Sequence, residues 1–518
     1  MRLREEAGTL SGLLGELAGR RRDATALVYG DEVISFGELE QRAAGVAGAL
    51  AALGVGAGDR VALWLPNCPA WFELHLALAR LGALTVSINT RFRGHEVEDL
   101  LVRSEATVLA VWPGFKGIDF LGILDGLELP ALRTTICVGG EGSGVSHARL
   151  RDHRPGPDQA APEAPCIAFT SSGTTGRPKL VVHAQRGIVA HARAVARGFG
   201  YDRPGVTVLG MLPLCGVFGY DSALGALAAG APVVLLDAFD AEHAAALVAR
   251  HGVTHANGSD QMLLRLLEAD PSPALAEAGF AAFDGDPRRV VDAADAAGTT
   301  AYMCYGSTEV QALLAHAPVN GSPERRAVAG GRPVHPETRV RVLGEDGELL
   351  GQGEEGELEV GGPSLMAGYL DDDAGQAFTD DGFVRTGDLG RLDEDGGFAF
   401  VARRGDVLRL GGFLVSPREI EAFLETHDAI EAAGVVAAEH EGAQRAVAFV
   451  VSRPGAEHDE AAALARCRAE LAGFKVPRRI LAIDELPMTD GANGRKVRRA
   501  ELRRLAAEAL KDPAPATP

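Results

Sequence analysis

Near the start of the chain, short apolar runs alternate with capped amphipathic segments, and that alternation restricts the fold to a mostly parallel sheet covered by helices on both faces. Ser35-Phe-Gly-Glu38 is a capping box, in which hydroxyl and carboxylate each satisfy a backbone N–H at the helix start. It opens an amphipathic helix with Leu39, Ala43, Val46 and Leu50 on one face, which Gly54-Val-Gly56 ends. Arg60–Leu65 reads as a buried strand. Asn67-Cys-Pro69 then turns into a helix running to Leu81 with Gly82 as its stop, and Thr85–Ile88 is the next strand. Toward the C-terminus, a helix at Glu419–Glu425, strands at Ala432–Val436 and Ala446–Val451 and a helix at Glu460–Leu471 form a small α+β module. The expected fold class is α/β: a large N-terminal α/β domain of stacked sheets with helices, then this small C-terminal α+β domain. A length of 518 residues accommodates both, since single cores stop growing near about 300 residues.

A formal net charge of −20 sets the chain against nucleic acid or an anionic membrane as partner, while leaving room for a local basic patch. No run of about 18 apolar residues occurs, so no membrane span is expected. Met1-Arg-Leu-Arg-Glu-Glu lacks the apolar segment of a signal peptide. Cys68, Cys137, Cys166, Cys215, Cys304 and Cys467 are scattered, without C-x-x-C or zinc spacing. They are expected to be reduced and mostly buried, in a cytoplasmic protein.

Chemistry gathers at Phe169-Thr-Ser-Ser-Gly-Thr-Thr-Gly-Arg-Pro-Lys179. Cys166–Phe169 reads as a buried strand and His183–Val195 as a helix, which makes the polar stretch a strand-to-helix loop. Gly173 and Gly176 let backbone N–H groups turn toward a ligand. Thr170, Ser171, Ser172, Thr174 and Thr175 add hydroxyl donors, and Lys179 adds a positive charge. That set suits a polyphosphate. In the P-loop of nucleotide kinases Lys-Ser or Lys-Thr follows the glycine at once, whereas here Arg177-Pro178 intervenes. By composition alone such a loop is equally a flexible surface turn. The whole string resembles the signature loop of the adenylate-forming superfamily: acyl-CoA synthetases, peptide-synthetase adenylation domains and luciferase-type enzymes. Further motifs of that family follow in order, over roughly residues 25–505.

The resemblance implies roles for those motifs. Tyr302-Met-Cys-Tyr-Gly-Ser-Thr-Glu309 is similar to a strand end that sets the Tyr305 ring for stacking, with Gly306, Ser307 and Thr308 at the phosphates. Glu309 is implied as a ligand for Mg²⁺, as a hard oxygen donor. Phe383–Gly390 resembles the ribose motif, in which Asp388 in a glycine-flanked turn accepts hydrogen bonds from both hydroxyls. Asp284 and Gly285 stand where relatives line adenine. Ala402–Glu421 resembles the hinge, with Arg403 assisting at the ribose and Asp406 as pivot. The implied division is residues 1–405, which hold ATP and the acid, and residues 406–518, a mobile lid. Gly411-Gly412 offers either a strand edge along which the pantetheine arm of CoA passes or a hairpin bulge. In Leu486–Arg499, counting back from Leu502 aligns Lys496 with the family's catalytic lysine, while counting forward from Gly494 favours Arg495; Val497 selects Lys496.

Departures from the family pattern cluster at the implied acid pocket. Cys215 and Gly216 replace an aromatic residue and a histidine, giving a close-packed turn or a reshaped floor. Gly258, Ser259, Asp260 and Cys304 are further candidates to line it, although Ser259 and Asp260 equally suit a helix cap. The implied reaction has two halves: a carboxylate attacks the α-phosphorus of ATP and displaces pyrophosphate, then the thiol of CoA displaces AMP. One alternative passes the activated acid to an amine instead, including nitrite activation for diazotisation of aryl amines. Another is a non-catalytic nucleotide sensor, against which Lys496 and Glu309 stand.

Overall fold

The computed structural model describes residues 8–511 apart from 141, 172–177, 271–272, 283–286, 345, 371–376, 404–407, 412, 416, 457, 492–493 and 498. Among these residues two large sheets carry the N-terminal unit. The eight-stranded sheet holds parallel strands Arg60–Trp64, Leu84–Ser87, Val108–Val111 and Thr134–Cys137, extended by Pro165–Ser171 and Lys179–Ala184. The thirteen-stranded sheet has a parallel centre of Val233–Leu235, Val208–Gly210, His255–Ser259, Glu277–Ala281 and Thr300–Ser307. It turns antiparallel through Gln311–His316 and reaches Val384–Leu392 and Phe398–Arg403.

Strands covered on both faces are apolar along their whole length, and Val61, Ala62, Leu63 and Trp64 are all fully buried. One core cluster joins Val61 and Phe169 of the first sheet to Val208 and Tyr302 of the second, through Ile188, Val195, Tyr220 and Leu224. Those last four lie on helices Gln185–Gly198 and Val217–Ala229, which are therefore sandwiched between the sheets. The expected caps are present. Ser35 and Glu38 bond reciprocally at 2.8 and 3.2 Å, and Pro69–Leu81 ends at Gly82 in the left-handed region, φ 69°.

The small unit is a three-stranded sheet, Ile430–His440, Ala443–Ser452 and Arg479–Ala482, packed by helices Pro417–Glu425, Glu460–Glu470 and Arg499–Ala509. It has apolar clusters of its own around Val435, Ala448 and Ile480, and around Val436, Val447 and Leu502. The expected boundary at 405/406 and the pivot Asp406 lie outside the described residues. All six cysteines are free and buried. Among the described residues no helix is long and apolar enough to cross a membrane.

The signature stretch corrects the strand-to-helix reading. Lys179–Ala184 is a strand antiparallel to Pro165–Ser171, in register Ser171↔Lys179 and Thr170↔Leu180, and the helix begins only at Gln185. Leu180, Val181, Val182 and His183 are each buried, as β-branched and apolar side chains between packed layers require. His183 is thus a strand residue.

Burial of two neutral imidazoles gives a stability prediction. His75 bonds Thr85 Oγ1 and Tyr220 Oη, both at 2.9 Å, and burial pulls its pKa to about 3. Burial likewise pulls His183 to about 4. Folded values below the unfolded one of about 6.5 leave this stability intact above that pH. Below it each histidine removes about 1.4 kcal/mol per pH unit, because the unfolded chain takes up the proton first. His191, pulled to about 3, lies 3.6 Å from Asp221, whose buried carboxyl is pushed up and contributes the opposite slope. The melting temperature is therefore expected to fall by about 5 °C between pH 7 and pH 5 in calorimetry. A His183→Gln variant should show a shallower fall, and equal slopes would remove His183 from the account.

Candidate active site

The three motifs meet in space. Strand Thr300–Ser307 and strand Gln311–His316 form a hairpin whose turn carries Thr308 and Glu309. His183 Nε2 donates to the Thr308 carbonyl oxygen at 2.8 Å, which ties that turn to the strand leaving the signature loop. Tyr305 Oη donates to Asp388 Oδ2 at 2.8 Å, joining the second motif to the third. The Tyr305 ring is buried and stands edge-on to Phe398, with centroids 4.9 Å apart. Asp388 is 3% exposed and lies opposite Arg403 in the strand register. The glycine-flanked turn expected for Asp388 is instead the interior of strand Val384–Leu392, kinked at Gly387 with φ 69° and followed by a register shift.

Around this junction are groups suited to phosphates. Thr170 and Ser171 end their strand half-buried, and Lys179 starts the next one with its ammonium 4.3 Å from the Tyr369 ring centroid. The Ser307 hydroxyl is buried beside Gly306 and has no partner among the described residues. Ser172, Gly173, Thr174, Thr175, Asp284 and Gly285 lie outside those residues. No group of three or more His, Cys, Asp or Glu side chains gathers among the described residues. Half-buried Glu309 offers a carboxylate, which fits Mg²⁺ because that ion takes one or two carboxylates and completes its shell with substrate phosphates and water.

The residues expected at the acid pocket line up at the C-terminal ends of the parallel strands, where α/β sheets bind ligands. Cys215 is buried, with its thiol pushed up to about 12, and Gly216 caps helix Val217–Ala229. Ser259 accepts from Met262 N at 3.2 Å, so its hydroxyl serves as the cap of helix Asp260–Ala269, and Asp260 is fully buried in the first turn. Asn257, one residue before Gly258, donates to Tyr201 Oη at 2.6 Å and Ser222 Oγ at 2.8 Å. A Cβ on the facing Gly279 would come within 2.2 Å of Asn257 Oδ1 and 2.8 Å of Cys304 Sγ. Only glycine fits there, between the Asn257 amide and the Cys304 thiol.

Between the large and small units lies a cavity of about 400 Å³, lined by Arg93, Arg445, Arg468, Arg478, Gly411 and Phe474 among others. Gly411 has φ 55° and turns strand Leu408–Leu410 into Phe413–Val415, so it is the tip of a hairpin rather than a strand edge; Gly412 lies outside the described residues. Lys496 sits on a second hairpin, Met488–Gly491 with Gly494–Val497, opposite Thr489.

Sequence reasoning did not single out His183 or the four arginines as site residues. The arginines come from separate segments, and no local pattern collects them.

Against known proteins, the family model described as AMP-binding enzyme matches residues 15–370, and that described as AMP-binding enzyme C-terminal domain matches residues 419–492. The chain belongs to this adenylate-forming, AMP-binding enzyme family. Sulfoacetate–CoA ligase of Cupriavidus necator is 33% identical over 506 residues, covering 95% of this chain and 97% of the relative. Among solved structures, a double mutant of o-succinylbenzoate CoA synthetase of Bacillus subtilis bound with its product analogue superposes with TM-score 0.81 at 25% identity, covering 95% of this chain and 98% of that one. The same enzyme in complex with its acyl-adenylate scores 0.66 at 25% identity, covering 95% and 97%. Amide bond synthetase McbA of Marinactinospora thermotolerans scores 0.83 at 25% identity, covering 96% and 99%.

Proposed function

We propose that this protein is an ATP-dependent acid–CoA ligase. A carboxylate oxygen attacks the α-phosphorus of ATP and pyrophosphate leaves; the CoA thiol, losing its proton, then attacks the acyl carbon and AMP leaves. The cavity lined by Arg93, Arg445, Arg468 and Arg478 beside Gly411 carries this reading. Four guanidinium groups suit the phosphates of CoA, and an amine acceptor would have no use for them. The fold does not separate the two acceptors, since the amide bond synthetase shares it. The relative named as a sulfoacetate–CoA ligase, alike over nearly the whole chain, favours the thiol.

In this reading Thr170, Ser171, Lys179, Ser307 and Thr308 hold phosphate oxygens, together with Ser172, Gly173, Thr174 and Thr175. Asp388 and Arg403 take the ribose, Tyr305 fixes Asp388, and Asp284 and Gly285 border adenine. Mg²⁺ on Glu309 supplies countercharge to the triphosphate. Lys496 attends the carboxylate and α-phosphate, residues 1–405 and 406–518 rotate about Asp406, and Gly411 and Gly412 flank the pantetheine arm. Cys215, Gly216, Gly258, Ser259, Asp260 and Cys304 border the acid. The buried free thiols support a reducing, cytoplasmic setting.

The test is AMP release with ATP over a panel of small acids, each with CoA, with an amine, or with neither. AMP release that requires CoA is the expected result; release that requires an amine and ignores CoA refutes the reading. An Arg445→Glu/Arg478→Glu double variant should raise KM for CoA about tenfold, equivalent to about 1.4 kcal/mol, and leave KM for ATP unchanged.

A further inference from the structure

One ammonium group joins the two units. Lys475 is 4% exposed, and its Nζ donates to Glu96 Oε1 at 2.7 Å and to Glu419 Oε1. Glu419 and Lys475 fall within the stretch matched by the C-terminal family model, and Glu96 within the N-terminal one. The contact with Glu419 therefore travels with the small unit, whereas the contact with Glu96 exists only while that unit sits as it does here. Burial works against the Lys475 charge, but the carboxylates of Glu419 and Glu96 outweigh it and hold its pKa up. Burial pushes the Glu96 carboxyl up against the pull of Lys475.

The surroundings of the pair belong to the same seam. Lys475 Nζ lies 4.5 Å from the Phe92 ring centroid, the Arg91 guanidinium 4.9 Å from that of Phe413, and Phe413 stacks on Phe474 at 4.1 Å. His95 faces Phe423 with ring centroids 5.2 Å apart. Residues on both sides of the ion pair line the arginine cavity: Arg93 from the large unit, Phe474 and Arg478 from the small one. Arg93 thus shares one cavity with Arg445, Arg468 and Arg478 in the arrangement that the pair spans. This chain also superposes better on the double mutant of the related synthetase holding its product analogue, 0.81, than on that synthetase holding its acyl-adenylate, 0.66.

We propose that Glu96 and Lys475 form a latch specific to the second half-reaction: Lys475 is a positioning residue that bonds Glu96 only when the small unit is set for thiol transfer, and so completes the CoA cavity. The latch rests on the CoA reading above.

Glu96→Gln tests it with little disturbance, because glutamine keeps the capping bond that Glu96 Oε2 makes to Arg93 N at 3.0 Å. Two rates are measured on the full chain with an acid that the wild type activates. Acid-dependent exchange of pyrophosphate into ATP should stay within about twofold. CoA-dependent AMP release from preformed acyl-adenylate should fall about tenfold with a raised KM for CoA. Lys475→Met should give the same split, and serves if Glu96→Gln does not fold. Glu419→Gln, which alters only the contact inside the small unit, should leave both rates within about threefold. Equal loss in both halves, no loss in either, or an equal effect of Glu419→Gln overturns the latch. A wild type that exchanges pyrophosphate but ignores CoA instead overturns the CoA reading, so the two failures are distinct.

Discussion

Lys496→Ala should abolish acid-dependent pyrophosphate exchange, with a loss of about a hundredfold or more, and leave thioester formation from supplied acyl-adenylate within a few-fold. The size follows from the chemistry of the first step. Carboxylate and α-phosphate are both anionic, and a preorganised cation between them acts where the charge shifts during transfer; removing one such donor costs about 3 kcal/mol of barrier. The selectivity follows from where the lysine sits. Its hairpin belongs to the small unit, where a Cβ on Gly434 would touch Leu486, Leu502 and Val497. In the proposed cycle that unit turns for thiol transfer, and the lysine would leave with it. The residue type that follows also bears on the choice between neighbours. Val497, which comes directly after Lys496 as the family pattern has it, packs into the small unit's apolar cluster. Arg495→Ala is accordingly expected to keep exchange within a few-fold. A silent Lys496→Ala beside a dead Arg495→Ala would move the role by one residue.

What could be read from the chain beforehand depended on how local the cause was. The capping box at Ser35 and Glu38 and the stop at Gly82 lie within single helical turns, and both stand in the structure as expected. The meeting of the Tyr305 and Asp388 motifs, 83 positions apart, was legible only through family resemblance, because no periodicity links them. The strand at Lys179–Ala184 was missed because Val181, Val182 and His183 run directly into a helix without a turn residue between them. Pairing with Pro165–Ser171 decided the outcome, and that is a tertiary effect. Gly411 had the right residue type for either a strand edge or a turn, and its positive φ selects the turn. The ion pair of Lys475 with Glu96 spans 379 positions and the arginine cavity gathers four separate segments. Neither exists until the units dock.

Asp388→Ala is expected to lower kcat/KM for ATP by about a hundredfold or more, mostly through KM. A carboxylate that accepts from two ribose hydroxyls contributes charge-assisted hydrogen bonds of about 1.5–3 kcal/mol each, and alanine removes both. The same substitution strips Tyr305 Oη of its 2.8 Å acceptor inside the fold, so a lower melting temperature should accompany the kinetic loss. Two further variants separate these effects. Tyr305→Phe deletes the buried hydroxyl and leaves the carboxylate, so it should lower kcat/KM for ATP by less than about tenfold. Asp388→Asn keeps the shape and an acceptor oxygen for Tyr305 but loses the charge, and should fall between the other two. Saturation of the acid and of CoA should be unaffected in all three, because the proposed role of Asp388 is at the ribose and it does not line the arginine cavity. Wild-type KM for ATP in Asp388→Ala would take this residue out of the nucleotide site and leave it a structural role beside Tyr305.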